Sequence, residues 1–173
     1  PEVNIENTGF ERTDYPDGYF DIAVGNVPFG DYRVNDPVYN RHGFLIHDYF
    51  FVKTLDKLRP GGVAAFITTK GTMDKENTKV RQYLFKRAEL LGAVRLPNTA
   101  FKNAGTKVTS DILFLQKREK EIADPEWISV TEDAQGIPVN SYFAAHPEMI
   151  LGTMKEISGP YGVETACIEN EGV

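Results

Sequence analysis

The chain has 173 residues and a mass of 19.4 kDa, the length of one domain. At 41% hydrophobic and 12% aromatic residues it can bury a real core, which excludes wholesale disorder. Its one cysteine, Cys167, excludes a disulfide framework and a cysteine-based zinc site, and fits a reducing cytoplasm. No apolar run approaches the roughly 18–20 residues of a membrane span, and the N-terminus carries no signal-peptide pattern. The chain begins with Pro1 rather than Met, so a fragment or processed chain is expected.

Net charge is −6, which alone argues against a nucleic-acid binder. The distribution is uneven. Residues 1–50 hold 3 basic and 9 acidic side chains, residues 70–118 hold 11 and 4, and residues 119–173 hold 2 and 11. A basic central block can face phosphates even in an acidic chain, or it can be a set of solvated helix faces.

Taken in chain order, Asp14-Tyr15-Pro16-Asp17-Gly18 signals a turn. Phe20 to Gly25 predicts a short buried strand. A loop rich in Gly, Asp, Asn and Pro runs from Asn26 to about His42. Phe44 to Leu58 predicts a helix with Phe44, Phe51, Leu55 and Leu58 on one face, ended by Pro60-Gly61-Gly62. That Gly-Gly lacks the Lys-Ser/Thr of a phosphate loop. Val63 to Thr68 is continuously apolar, which predicts a strand covered on both faces. Thr78 to Leu90 predicts a second helix presenting Val80, Leu84, Ala88 and Leu91. Short strands follow at Ala93–Leu96 and Asp111–Gln116. The order implies an α/β fold of parallel strands ending in an antiparallel pair, with ligands at the carboxyl ends of the strands. Ile122 to Pro125 reads as a boundary, Trp127 to Val130 as a strand, and Tyr142 to Ile157 as one or two short helices.

One stretch carries chemistry: Asp21-Ile22-Ala23-Val24-Gly25-Asn26-Val27-Pro28-Phe29-Gly30, an apolar strand running into Asn-x-Pro-aromatic. It resembles the catalytic motif of amino-directed methyltransferases, Asn-Pro-Pro-Tyr or Asn-Pro-Pro-Phe. Leu58 to Ile67, Arg81 to Leu84, Gly92 to Pro97, Phe101 and Thr109 to Gln116 resemble the segments that follow it in the N6-adenine class, particularly Type I modification subunits. The fuller match, including Val27 and Gly30, is to large bacterial plasmid and conjugative-element proteins that join an adenine methylase to an SNF2-type helicase. The resemblance covers about residues 9–118 and implies a partial Rossmann-like, S-adenosylmethionine-dependent methyltransferase fold.

What the resemblance implies is specific. The Asn26 side-chain oxygen and the Val27 backbone carbonyl would accept the two N–H bonds of adenine's exocyclic amine. This draws the nitrogen toward tetrahedral geometry and stabilises its developing charge. Pro28 would stiffen the loop and Phe29 would stack on a base turned out of the duplex. Val27 departs from the commonest pattern, which has Pro; the carbonyl survives that change and the rigidity of proline does not. Phe10 is the candidate cofactor contact, in a Gly9-Phe10 where the family often has Asp-Phe. Lys70, Lys79, Arg81, Phe101 and Lys102 are candidate DNA contacts. The histidines His42, His47 and His146 have no metal-like spacing and take no role.

The family's Gly-rich cofactor turn normally precedes the catalytic motif, and residues 1–25 contain no Gly-x-Gly. The expectation is therefore the C-terminal half of a methyltransferase domain over 1–118 and an acidic extension or following module over 119–173. This half would bind S-adenosylmethionine weakly or not at all and be inactive alone. Expected partners are DNA, the N-terminal half of the same domain, and a helicase module of the parent. The alternatives are a degenerate, non-catalytic module for DNA binding or interdomain contact, and a methyltransferase acting on RNA or protein glutamine.

Overall fold

The computed structural model describes residues 3–159 and 162–170. Its main sheet has four strands: β1 (Phe20–Asn26), β2 (Leu58–Thr69), β3 (Ala88–Leu96) and β4 (Ser110–Lys117), in the order β1-β2-β4-β3. β1 and β2 are parallel, and β4 is antiparallel to both β2 and β3. This is the α/β class read from the sequence, a parallel pair continued by an antiparallel hairpin.

Helix α1 (Ile46–Lys57) joins β1 to β2. It starts two residues later than Phe44 and stops at Lys57, where Leu58 turns extended. It is also buried on more than the one face its Phe and Leu spacing suggests, because His47, Asp48, Lys53 and Thr54 are inside as well. Pro60 and the glycines do not terminate the helix. They belong to β2, where Gly61 takes φ +77° and residues between Leu58 and Val63 loop out of the β1 ladder. Gly62 lies so close to the Asp21 and Arg59 carbonyls that a Cβ would stand 2.9–3.0 Å from them. Short helix α2 (Gly71–Asp74) follows β2. Helix α3 (Lys79–Arg87) buries Val80, Leu84 and Phe85. It is shorter than its apolar spacing implies: Ala88 already begins β3, and Leu91 is exposed.

The strands β1 and β2 are not covered on both faces. Alternation places Ala64, Phe66 and Thr68 inside, toward the core that contains Phe51, Val52, Leu55, Leu84 and Leu113. The opposite face carries Ile22, Val24 and Asn26 beside Val63, Ala65 and Ile67, then Ile112 and Phe114 of β4. Ile22 is 66% and Val24 76% exposed, and β1 is an edge strand among the described residues. Continuous apolarity here marks a sheet face that no helix among the described residues covers.

Beyond β4 the chain forms β5 (Val130–Glu132), β6 (Pro138–Asn140), α4 (Ser141–Ala145), β7 (Thr153–Gly159) and β8 (Gly162–Ile168). Trp127 is not in a strand; its φ is +62°. Pro147 starts a single 3-10 turn, and Thr153 onward is strand rather than helix. Val139, Tyr142, Phe143, Met154 and Cys167 belong to the same hydrophobic cluster as the main sheet. The change of composition at Ile122–Pro125 therefore marks a change of architecture on a shared core.

That joint is ionic. Arg95 on β3 is fully buried and binds Asp111, its cross-strand partner on β4, through two bonds of 2.8 and 2.9 Å. It also donates to Asp74 at the end of α2 at 2.6 Å, and its guanidinium lies 4.2 Å from the Phe143 ring centroid. Asp74 accepts the Asn140 backbone N–H, and the Asn140 amide donates to the Met73 and Trp127 carbonyls. Burial alone would weaken the hold of Arg95 on its proton. The two carboxylates outweigh that and keep it charged.

Removing one member of such a buried set leaves uncompensated charge. Arg95→Met is expected to lower unfolding free energy by about 3–5 kcal/mol in urea titration, and Arg95→Met with Asp111→Leu to recover part of the loss. A second buried pair makes a pH prediction. Burial raises the Asp36 pKa, but hydrogen bonds from Tyr49, Lys53 and the Val38 N–H more than reverse this and hold it below the ordinary value. A depressed folded-state pKa stabilises above the unfolded value, about 3.9, and that stabilisation disappears as pH falls through the folded value. Asp36→Asn should thus be less stable than wild type at pH 7, with the difference narrowing below about pH 4 in urea midpoints.

Candidate functional site

Asn26 is the last residue of β1, level with Ile67 on β2. It sits at the carboxyl end of the parallel pair, where an α/β sheet presents its ligand-handling residues. Its side chain is exposed and makes no hydrogen bond to another described residue. Val27 is different: it is 3% exposed and packs in the core. Its backbone N–H donates to the Ile67 carbonyl at 3.1 Å. Proline has no N–H and cannot make that bond. The position is therefore fixed by ladder bonding and burial instead of by a ring. Pro28 and Phe29 follow, half-buried, with Phe29 against the core.

A buried polar cluster joins α1 to the turn after β2. His47 near the start of α1 is buried beside Asp48, whose carboxylate takes Lys75 and the Thr72 hydroxyl; Thr72 in turn bonds Thr68 at the end of β2. Burial holds His47 below its ordinary pKa, with Lys75 acting in the same direction, while Asp48 and the Gly30 backbone act in the opposite one. This cluster has no signature in the sequence, since its members come from α1, β2 and the turn after β2.

Phe10 and Asn26 meet. Both line a cavity of about 520 Å³ along the outer edge of β1, with Tyr15, Phe20, Phe50 and Phe66. The Phe10 ring packs 5.0 Å from Phe50, and the Lys53 ammonium holds the Phe10 and Thr13 carbonyls while paired to Asp36. The cavity supplies an aromatic wall and a free amide, which fits one side of a nucleoside-bearing cofactor. Among the described residues no Gly-rich turn and no acidic residue after a preceding strand makes the other side, so the fit is partial.

The other candidates lie elsewhere. Arg81 is not a surface contact. It is fully buried, and its guanidinium donates to the Ile128 carbonyl at 2.7 Å and toward the Thr72 carbonyl. Its helical position falls on the core side of α3 beside Val80 and Leu84, which spacing from Lys79 alone does not reveal. Lys70 is half-buried and donates to Thr165 of β8 at 3.0 Å. Phe101 and Lys102 lie in the β3–β4 connection, Phe101 half-buried and Lys102 exposed, and neither lines the Asn26 cavity. Lys79 is exposed on α3. The Cys167 thiol is buried and pushed up to about 11 by that burial, and no metal-binding cluster occurs among the described residues. No helix among them is long and apolar enough to cross a membrane.

Comparison with known proteins agrees with the family resemblance. Residues 2–140 match the family model "N-6 DNA Methylase". Defense against restriction protein B of Escherichia phage P1 is 35% identical over 130 residues, 72% of this chain and 6% of that protein. Among solved structures, a Listeria monocytogenes protein assigned to the class I S-adenosylmethionine-dependent methyltransferases aligns at TM-score 0.49 and 20% identity, over 66% of this chain and 36% of that one. The M protein of the type I restriction enzyme EcoKI aligns at TM-score 0.46 and 22% identity, over 57% of this chain and 21% of that one. The chain thus spans a small part of each of these relatives, and by its family match it belongs to the N-6 DNA methylases.

Proposed function

We propose that this chain is the acceptor-side half of an adenine-N6 DNA methyltransferase, active once a cofactor-binding half completes the sheet. The observation that carries the reading is Asn26: an exposed, unbonded amide at the carboxyl end of β1, followed by a Val27 backbone locked to Ile67. An aromatic amine is a poor nucleophile because its lone pair is delocalised. Accepting one N–H at the Asn26 oxygen and the other at the Val27 carbonyl localises that pair and stabilises positive charge on nitrogen. Phe29 offers a ring to a base turned out of the stack. S-adenosylmethionine supplies the methyl group; this chain contributes the acceptors, the aromatic wall around Phe10 and the alignment.

The uncovered sheet face supports the second part. Ile22, Val24, Val63, Ala65, Ile67 and Phe114 form an apolar surface ending at Asn26, and β1 leaves its outer backbone edge unpaired among the described residues. Edges and faces of this kind call for a covering element. The cofactor-binding half of the same domain is the occupant that would also bring the missing Gly-rich turn to the Asn26 cavity.

The reading is tested in a longer polypeptide or a two-chain mixture that carries such a half. Radiolabelled methyl transfer to duplex DNA should fall about 100-fold or more in Asn26→Ala. Val27→Pro keeps the carbonyl and deletes one hydrogen bond, so it should retain transfer while losing about 1 kcal/mol of stability. Transfer by Asn26→Ala at the wild-type rate would leave only a non-catalytic module. Val24→Lys should leave this chain folded, because the side chain is exposed, and abolish assembly with the cofactor-binding half in size-exclusion chromatography.

A further inference from the structure

A second surface is built for a polyanion, on the side of the molecule where α3 and the loop before α1 meet. On α3, Lys79, Gln82, Tyr83, Lys86 and Arg87 fall at i, i+3, i+4, i+7 and i+8, one stripe of the helix. The opposite stripe, Val80, Arg81, Leu84 and Phe85, is in the core. Arg41, His42 and Phe44 face the outward stripe, and between them lies an open groove of about 450 Å³.

Its floor is aromatic. His42 stacks on Phe44 with planes 8° apart, and Tyr83 meets both edge-on at centroid distances of 4.9 and 5.7 Å. The Arg87 guanidinium lies 3.9 Å from the Tyr83 ring centroid and pairs with Glu121 at 2.7 Å. Arg41, Lys79 and Lys86 form no ion pair with another described residue. Burial lowers the His42 pKa, and the positive fields of Arg41 and Arg87 lower it further.

Lys86 and Arg87 stand in the last turn of α3, where the helix dipole favours them, but Lys79 does not. Lys79 sits in the first turn of α3, where no acidic residue is present and where the helix dipole disfavours a positive charge. Seven residues of helix separate Lys79 from Lys86, about 10 Å of rise, which matches the axial span of three nucleotides along one strand. Unpaired cations at that spacing over aromatic rings are the elements of a sequence-tolerant nucleic-acid groove.

We propose that this groove binds a DNA strand through its phosphates, as an anchoring site separate from the Asn26 cavity, with which it shares no lining residue. The choice of DNA rests on the family reading; the groove itself does not depend on the chemistry at Asn26. Arg41, Lys79 and Lys86 take the phosphates, and the His42–Phe44–Tyr83 floor accepts the sugar or base edge.

The test is fluorescence anisotropy of labelled 20-nucleotide single strands and duplexes titrated with this chain at several salt concentrations. Binding should weaken with salt, with a log–log slope near −0.9 for each duplex phosphate neutralised and near −0.7 for each single-strand phosphate. Arg41→Ala, Lys79→Ala and Lys86→Ala together should reduce affinity about tenfold or more at low salt and make the slope shallower, whereas Lys79→Arg with Lys86→Arg should keep both. Circular dichroism should be unchanged, since these side chains point outward. Lys155→Ala, an exposed cation on β7 outside the groove, should bind DNA like wild type, and the titration reads binding without any methyl transfer, which separates this proposal from the methyl-transfer reading. Failure of wild type to bind DNA, an unaltered slope in the triple alanine variant, or equal displacement by poly-glutamate would overturn it.

Discussion

The arrangement depends on one buried cation. Arg95 stands on β3 with both oxygens of Asp111 across the ladder and Asp74 beyond. Each of these groups would be costly inside the protein alone; together, with Asn140 and the Phe143 ring completing the shell, they are compensated. The set does more than join β3 to β4. Asp74 ends α2, the element that follows the carboxyl end of β2, and Asn140 caps α4 through the Tyr142 N–H. One guanidinium thereby fixes the sheet, the turn beyond β2 and the C-terminal elements relative to one another.

The turn beyond β2 is also tied to helix α1. Thr68 and Thr72 bond each other there, Thr72 reaches Asp48, and Asp48 lies beside His47 under Gly30. Arg95 and this cluster meet on α2, where Asp74 takes the guanidinium and the Thr72 hydroxyl reaches Asp48. Rigidity at Val27 does not need proline. A ladder hydrogen bond and a buried side chain hold the backbone, while Asn26, one residue earlier, stays exposed.

The sequence showed the parts whose physics is local. Strand β1 ending at Asn26, the apolar run of β2, the hairpin of β3 and β4 and the Asn-x-Pro-aromatic motif were all legible because period and composition set them. What failed was non-local. Val63 to Thr68 read as covered on both faces because an uncovered apolar face and a covered one have the same composition. Arg81 read as a surface cation because nothing in its neighbours says that it turns inward to the Ile128 and Thr72 carbonyls. Strands β5 and β6 were missed because they have three residues each, too short for a period. His42 drew no interest in sequence, since its partners Phe44 and Tyr83 come from a loop and a helix that only packing brings together.

The two faces of the molecule make opposite demands on charge. The open face of the sheet is apolar and ends at an uncharged amide, so it suits burial against protein and a low-dielectric site in which hydrogen bonds to a developing cation gain strength. The α3 groove keeps its cations in water, where they act over a Debye length of about 8–10 Å and draw a polyanion without fixing its sequence. An overall charge of −6 does not conflict with this, since the basic residues are gathered between positions 70 and 118 and the acidic excess lies before and after. The proposed anchoring charge and the proposed acceptor amide thus lie apart, and the Asn26 side chain makes no hydrogen bond with another described residue that would occupy its oxygen.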